Sequence, residues 1–549
     1  MPIKCISKTA SAYDYPLIIK QIFSTPLVNF PNQKIQYRNQ CSYTYTQFSE
    51  RVHKLAKALE SSGVQPGDTV AVMDWDSHRY LECFFAIPMM GAILHTINIR
   101  LSPDQLIYTI NHAEDDVILI HKDFVPMIEA VKDRLTSVKK MILIADFQDP
   151  PQTTIQWDDE YEKMIENADS HFEFVDFDEN ACATMFYTTG TTGLPKGVYF
   201  SHRQLVLHTL GLVTTLNFMN SQASFNASDV YMPLTPMFHV HAWGFPFMAT
   251  MIGVHQVYPG RYEPETILKL IKNEGVTISH CVPTILHMLL NTPSIRDMDL
   301  SKWQVIIGGS ALPKSLCDEA LKLGINVYAA YGMSETCPVL TCSNIKPHLK
   351  TDDDIENTQL RCKTGLPTPL VHLRVVDPDF NDVPPDGKST GEVIVRTPWL
   401  TQGYLNDPEK SEELWEGGWM HTGDIGYMDT EGYLQITDRL KDVIKTGGEW
   451  ISSLELEDAL LAHDGVSEAA VIGVPDDKWG ERPFAMVVLT NNAREKNVTS
   501  DDIKVHLMAF VEKGIIPKYG VPDKIAIVDS IAKTSVGKIN KRSLRQQFI

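Results

Sequence analysis

The stretch Tyr187-Thr-Thr-Gly190-Thr-Thr-Gly193-Leu-Pro-Lys196-Gly197 gathers the residue types that hold a phosphate. Three glycines and four threonines in eleven residues make a poor helix. Glycine lets successive backbone N–H groups turn onto one anion, threonine hydroxyls add donors, and Lys196 adds charge. A Walker A loop needs glycine before its lysine and serine or threonine after it; here Pro195 and Gly197 stand in those places. The composition therefore predicts a phosphate loop of another kind, behind a strand over 181–187. A surface linker is the bland alternative, and a lysine after proline, just past an apolar strand, argues against it.

Other groups are ambiguous taken singly. Gly308-Gly309-Ser310-Ala311 follows an apolar strand and can either pass close to a flat ring or simply turn. Glu335, Asp424, Arg439 and Lys538 each read alone as solvated surface charges. His239, flanked by Phe238, Val240 and Trp243, reads alone as a core histidine.

Alternating elements must position these residues. Phe48, Val52, Leu55, Ala56 and Leu59 recur at helical spacing and Gly63 stops the run. Strands are predicted over 69–75, 92–97 and 117–121, with a helix over 77–90 between the first two. Ser102-Pro-Asp-Gln105 is a helix start: a capping serine, proline in the first turn, glutamine three on. The alternation returns over 263–334, with helices at 265–273 and 283–290 and extended segments at 276–280 and 305–307. Such alternation implies mostly parallel sheets covered by helices. Turn-rich text from 364 to 436 predicts a small antiparallel sheet or barrel. Past the charged segment 438–442, helices near 453–463 and 501–513 mix with strands near 467–474, 484–489 and 524–528.

The chain has 549 residues, with 49 Lys+Arg against 69 Asp+Glu and a formal charge of −20, which argues against nucleic acid as a partner. Nine scattered cysteines read as free thiols of a reducing compartment. No apolar run reaches the roughly 20 residues that span a bilayer, no secretory signal opens the sequence, and its last residues match no peroxisomal address. Cytoplasmic location is the expectation.

The phosphate loop resembles that of the adenylate-forming superfamily: acyl-CoA synthetases, luciferases and adenylation domains of peptide synthetases. Four further segments match that family in order: Tyr331-Gly-Met-Ser-Glu-Thr336, Trp419-Met-His-Thr-Gly-Asp424, Asp438-Arg439-Leu-Lys441-Asp442 and Thr534-Ser-Val-Gly537-Lys538-Ile-Asn540-Lys541. His95-Thr-Ile-Asn-Ile-Arg-Leu-Ser-Pro103 and Pro236-Met-Phe-His239-Val-His-Ala-Trp243 are most similar to medium- and long-chain fatty acyl-CoA synthetases. The resemblance implies an α/β chain: a large N-terminal AMP-binding domain over 1–437, built from helix-covered, mostly parallel sheets with a small β-barrel-like subdomain. A hinge over 438–442 and a small mobile α+β lid domain over 443–549 would follow.

It also implies an ATP-dependent fatty acid–CoA ligase that forms acyl-AMP and then acyl-CoA, with ATP and CoA as co-substrates and Mg²⁺ held by Thr188 and Glu335. Lys196, Lys538 and His239 are implied as catalytic groups, His239 beside the substrate carboxylate. The nucleotide would be held by Thr188, Thr189, Gly190, Thr191, Thr192, Gly193, Gly309, Ser310, Ala311, Ala330, Tyr331, Gly332, Ser334, Glu335, Asp424, Arg439, Lys445 and Trp450. Lys441 would be the hinge residue, and Val240 and Trp243 would border the acyl pocket. The reading allows peripheral membrane contact without a span, and a homodimer. The competing readings are a non-fatty, aromatic or short-chain acid, a carrier protein as acceptor, a luciferase, or a binding protein that kept the fold. Lys196, Glu335, Asp424 and Lys538 are all present, against the last of these.

Overall fold

The computed structural model describes residues 3–188, 194–217, 224–353, 357–446, 449–476, 478–513, 515–533 and 539–548, with backbone alone at Glu449 and Trp450. Locally encoded elements form where the residues dictate. Ser102 caps the Pro103–His112 helix in a reciprocal box with Gln105, and Val117–His121 and Pro283–Leu290 span the predicted residues.

Two helix-covered sheets carry the first 370 or so residues. In the first, Asp159–Glu160, Lys140–Ile144, Val117–His121, Thr69–Met73, Ile93–Thr96 and Cys182–Thr188 run parallel in that spatial order, and Lys196–Ser201 closes the edge antiparallel. In the second, Asn326–Gly332, Gln304–Ile307, Ile278–Cys281, Val230–Pro233, His255–Tyr258 and Lys34–Tyr37 form the parallel centre. Antiparallel strands flank it on both sides.

All twelve residues of the His78–Met89 helix are buried. Its polar side chains must therefore find partners inside the protein. Arg79 Nε lies 2.6 Å from Glu162 Oε1 and its Nη1 3.0 Å from Asp146 Oδ1, while Glu82 Oε1 receives Arg51 Nε at 2.6 Å.

The turn-rich region forms the antiparallel sheet its sequence implies: His372–Val376, Gly391–Arg396, Met420–Met428 and Leu434–Arg439 pair in chain order. A last sheet is built wholly from later residues, Ile444–Thr446, Glu449–Ile451, Val466–Asp476, Gly480–Leu489 and Lys524–Ile527, with Ser453–Leu461 and Ser500–Glu512 as helices. The hairpin 466–489 is longer than the two short strands expected, because its ladder continues past the apolar stretch through Val474↔Arg482 to Asp476↔Gly480. No described helix is long and apolar enough to cross a membrane.

Candidate active site

Open α/β sheets bind ligands beyond the carboxyl ends of their strands. That is where most of the implied site residues fall. Thr188 ends the Cys182–Thr188 strand, Gly308–Ala311 follow Gln304–Ile307, Ala330, Tyr331 and Gly332 end Asn326–Gly332, and the 234–244 segment follows Val230–Pro233. Lys196 is not inside the loop that the composition predicts. It opens the Lys196–Ser201 strand in register with Thr188, because the chain doubles straight back along the strand it has just left. Thr189, Gly190, Thr191, Thr192 and Gly193 lie outside the described residues.

A segment that the sequence did not single out joins this hairpin to Glu335. Leu405 N donates to Gly197 O at 2.9 Å, Tyr404 bridges Val198, and Thr401 N donates to Glu335 O at 3.0 Å. Tyr404 is thereby set between the two charges. Lys196 Nζ lies 4.2 Å from the centre of its ring, and its hydroxyl donates to Glu335 Oε1 at 2.8 Å. Burial and the neighbouring carboxylate push the Tyr404 hydroxyl far above its ordinary pKa, so it remains a donor. No sequence signal marks Tyr404, since it acts through contacts 69 and more than 200 residues away.

A second cluster forms around Asp424. Strand register places Asp424 opposite Arg439. Arg439 Nε lies 3.2 Å from Asp424 Oδ1, and the Tyr331 hydroxyl donates to Oδ2 at 2.6 Å. Burial and Asp424 raise the Tyr331 hydroxyl well above its usual pKa, and Asp424 raises that of Arg439. The carboxylate is thus aimed by a donor on each oxygen, with lone pairs left for a diol. Gly332 allows the close turn beside it: a Cβ there would come within 1.8 Å of Pro338 O. Ser334 and Glu335 follow in a short 3-10 turn, Glu335 being buried.

The 234–244 segment is the most unusual backbone of the site. Val240, His241, Ala242, Trp243 and Gly244 all take left-handed φ values of 48, 53, 47, 59 and 75°. Each non-glycine residue so placed costs roughly 1–2 kcal/mol, and such strain concentrates where function demands a geometry. Packing holds the turn. Trp243 lies against Gly308, where a Cβ would sit 3.0 Å from the indole and 3.1 Å from Ala330 O, and its ring centre is 5.1 Å from that of His280. His241 is enclosed by Phe84, Phe186, Phe200 and Phe247, and burial lowers its pKa to about 3, so it is neutral. His239 is half-buried and lines a small cavity with Arg100, Thr235, Tyr262 and Thr284.

Asp76 fixes this segment from below. Its Oδ1 accepts from Met237 N at 2.8 Å and its Oδ2 from the Tyr262 hydroxyl at 2.6 Å. Burial raises its pKa from 3.8 to about 7 despite these donors. The unfolded chain ionises Asp76 near the lower value and the folded protein only near the higher. Its contribution to stability is therefore full below pH 4, is lost between pH 4 and 7, and is constant above. Asp76→Asn keeps an acceptor for Met237 and carries no charge. Its melting temperature relative to wild type should rise from pH 5 to pH 8. Parallel melting curves for the two proteins across that range would show that Asp76 does not titrate in this way.

Residues 25–405 match the family described as AMP-binding enzyme, and residues 455–538 its C-terminal domain. The chain belongs to the AMP-binding enzyme family. It is 41% identical over 510 residues to a long-chain-fatty-acid–CoA ligase of Thermus thermophilus, covering 92% of this chain and 90% of that one. It is 39% identical to a 3-methylmercaptopropionyl-CoA ligase of Ruegeria lacuscaerulensis, covering 91% of each. The crystal structure of the anthranilate CoA ligase AuaEII with anthranoyl-AMP superimposes with a TM-score of 0.84 over 97% of this chain and 98% of that one, at 24% identity, which establishes the shared fold.

The remaining implied residues of this AMP-binding enzyme lie around and beyond the 438–442 segment. Lys441 sits in the turn just after Arg439, whose carbonyl accepts from Asp442 N at 2.8 Å and Val443 N at 2.9 Å. Burial and Arg439 lower the Lys441 pKa. Lys445 is exposed on the Ile444–Thr446 strand, and no described contact joins it to the Lys196 or Asp424 cluster. Lys538 and the Trp450 side chain lie outside the described residues.

Proposed function

We propose that this chain, an AMP-forming acyl-CoA ligase, takes a fatty acid as its acyl donor. The buried, apolar character of the 236–248 segment carries the reading. Met237, Phe238, Val240, Ala242, Trp243, Phe245, Phe247 and Met248 are all buried, and no Asp, Glu, Lys or Arg occurs in the segment to pair with an ammonium group. The Thermus relative named for long-chain fatty acids supports the same reading.

In this reading Lys196 and the Gly/Thr loop hold the triphosphate, Gly309, Ser310, Ala311 and Tyr331 border the adenine, and Asp424 accepts the ribose hydroxyls. The carboxylate oxygen attacks the α-phosphorus in line and pyrophosphate leaves. Lys538 stabilises the charge that develops on the reacting oxygens, and His239 lies beside the carboxylate. The CoA thiol, giving up its proton, then attacks the acyl carbonyl and AMP leaves, which returns the enzyme without a covalent intermediate. The chain turns about Lys441 between the steps, bringing Lys445 and Trp450 to the second. Thr188 and Glu335 suit Mg²⁺, a cation that takes few protein oxygens and fills its other positions from phosphate and water. When bound it neutralises phosphate charge. One oxygen of Glu335 is occupied by Tyr404, and the other accepts no hydrogen bond among the described residues.

AMP formation across acids from acetate to palmitate tests the substrate. An apolar pocket gains about 0.8 kcal/mol per buried CH₂, roughly fourfold per carbon until it is full. Catalytic efficiency should climb to medium or long chains and then level or fall, and Trp243→Ala should move that limit. A maximum at acetate, at an aromatic acid or at 3-methylmercaptopropionate, the acyl group in the name of the Ruegeria relative, overturns the fatty-acid reading and leaves adenylation standing.

A further inference from the structure

Asp424 sits in a distortion of its sheet. Between the pairs Glu392↔Ile425 and Ile394↔His421, Val393 alone stands opposite Thr422, Gly423 and Asp424. Such a bulge re-aims the side chains it holds and is common next to active sites. Its backbone is tied down residue by residue. The Thr422 hydroxyl donates to Val393 O at 2.7 Å and accepts from Asp424 N at 3.1 Å. Gly423 takes a left-handed φ of 65°, and its carbonyl oxygen accepts from Leu440 N at 2.9 Å. Its N–H donates to Glu392 Oε1 at 3.2 Å. The other oxygen of that carboxylate, Oε2, lies 3.0 Å from His421 Nδ1.

His421 faces an acceptor on each ring nitrogen, since its Nε2 lies 3.2 Å from Glu416 O. Only the imidazolium carries two N–H groups. A neutral ring gives up one of these contacts, and it loses the ion pair with Glu392 in either tautomer. The hydrogen bond with Glu392 raises the His421 pKa against the opposing effect of burial, and the Glu416 carboxylate acts in the same direction as Glu392. The other charged and titratable groups on the surrounding elements are engaged elsewhere. Arg396 Nε donates to Gly418 O at 2.6 Å, Arg374 Nε lies 2.6 Å from Asp382 Oδ1, and His372 packs on Trp419. On the same strand, Asp424 is met by Arg439 and Tyr331. We propose that His421 is a positioning residue: its imidazolium holds the Glu392 carboxylate on the Gly423 N–H and so fixes the bulge from which Asp424 meets the ribose of the nucleotide. This rests on the reading of Asp424 as the ribose acceptor given above. Deprotonation of His421 releases Glu392, the bulge loosens, and the ribose diol is held less well. The contact is therefore intact in the acid range and is lost as pH rises through the raised, folded-state pKa.

The test is the ratio of the dissociation constants of 2′,3′-dideoxy-AMP and AMP, measured by calorimetry on the full-length protein from pH 6 to pH 9. Both ligands carry the same phosphate, so its ionisation cancels and the ratio reports the diol. In wild type the ratio should fall about threefold across that range, the scale of one partly exposed charged contact. His421→Ala should give the low ratio at every pH. Glu392→Gln keeps an acceptor for the Gly423 N–H and a donor for a neutral ring, so its ratio should not change between pH 7 and pH 9. A wild-type ratio that stays well above one and level overturns the proposal. So does a His421→Ala ratio equal to that of wild type at pH 6, or a Glu392→Gln ratio that falls as wild type's does. A second measurement needs no nucleotide: amide exchange in the 420–426 peptide, corrected for its intrinsic pH dependence. Exchange should quicken about threefold in wild type between pH 6 and pH 9, and in His421→Ala already at pH 6. Unchanged exchange overturns the proposal. Should wild type bind both nucleotides equally at every pH, the ribose reading of Asp424 fails, and the exchange rates decide whether His421 fixes the bulge. Should His421→Ala lower the melting temperature, the pH dependence of wild type and its loss in Glu392→Gln decide without it.

Discussion

Lys538→Ala should lower the rate of acyl-adenylate formation by about 10²–10³-fold, the cost of one lost donor to a developing oxyanion. Thioester formation from preformed acyl-adenylate should change far less. The asymmetry follows from chemistry. In the proposed first step negative charge grows on oxygens shared between the carboxylate and the α-phosphate, where the Lys538 ammonium would act in the transition state. In the proposed second step the acyl–phosphate bond is already made. Lys533 and Ile539 form an antiparallel bridge, and Asn540 N donates to Ala532 O at 2.8 Å. The comparison requires that Lys538→Ala melt at the wild-type temperature. Pyrophosphate release in single turnover measures the first step, and acyl-CoA formation from added adenylate the second. Equal losses in both would assign Lys538 a structural role.

Lys196→Ala is expected to reduce kcat/KM for ATP by about 10²-fold, since in the proposed role its ammonium makes a charge-assisted hydrogen bond to phosphate, stronger than a neutral one. The Lys196 ammonium itself is held 4.2 Å from the centre of the Tyr404 ring, so it has little rotamer freedom to lose. Tyr404→Phe keeps that ring and removes only the bond to Glu335, and should cost much less, of the order of 10-fold. Steady-state kinetics in ATP at saturating acid and CoA distinguish the two. Wild-type KM and turnover in Lys196→Ala would exclude it from the phosphate site.

Much of the fold was legible because it is local. The Ser102–Gln105 box, the strand at 117–121 and the helix at 283–290 are decided by neighbours three or four residues apart, and the structure keeps them. The alternation of such elements was enough to imply parallel sheets, and five ordered motifs were enough to imply the family. Residue type alone also singled out 187–197 as the proposed phosphate loop, since few other combinations present N–H groups, hydroxyls and a lysine together.

Contacts between distant residues were not legible. The sequence read 236–248 as an apolar run; a left-handed turn there requires the fit of Trp243 against Gly308, 65 residues on. Lys196 looked like a loop residue because nothing local announces that the chain returns antiparallel beside Thr188. Asp76 and Tyr404 carry no motif at all. Their roles come from partners 161 and 69 residues away, at Met237 and Glu335. The sequence by itself determined which elements form and which chemical groups are available, because propensity, capping and residue chemistry act over a few residues. Only the tertiary structure decided which carboxylate faces which donor and how the backbone bends at 240–244 and 438–442. Hydrogen bonds and packing act over a few ångströms, and the chain must fold before those ångströms exist.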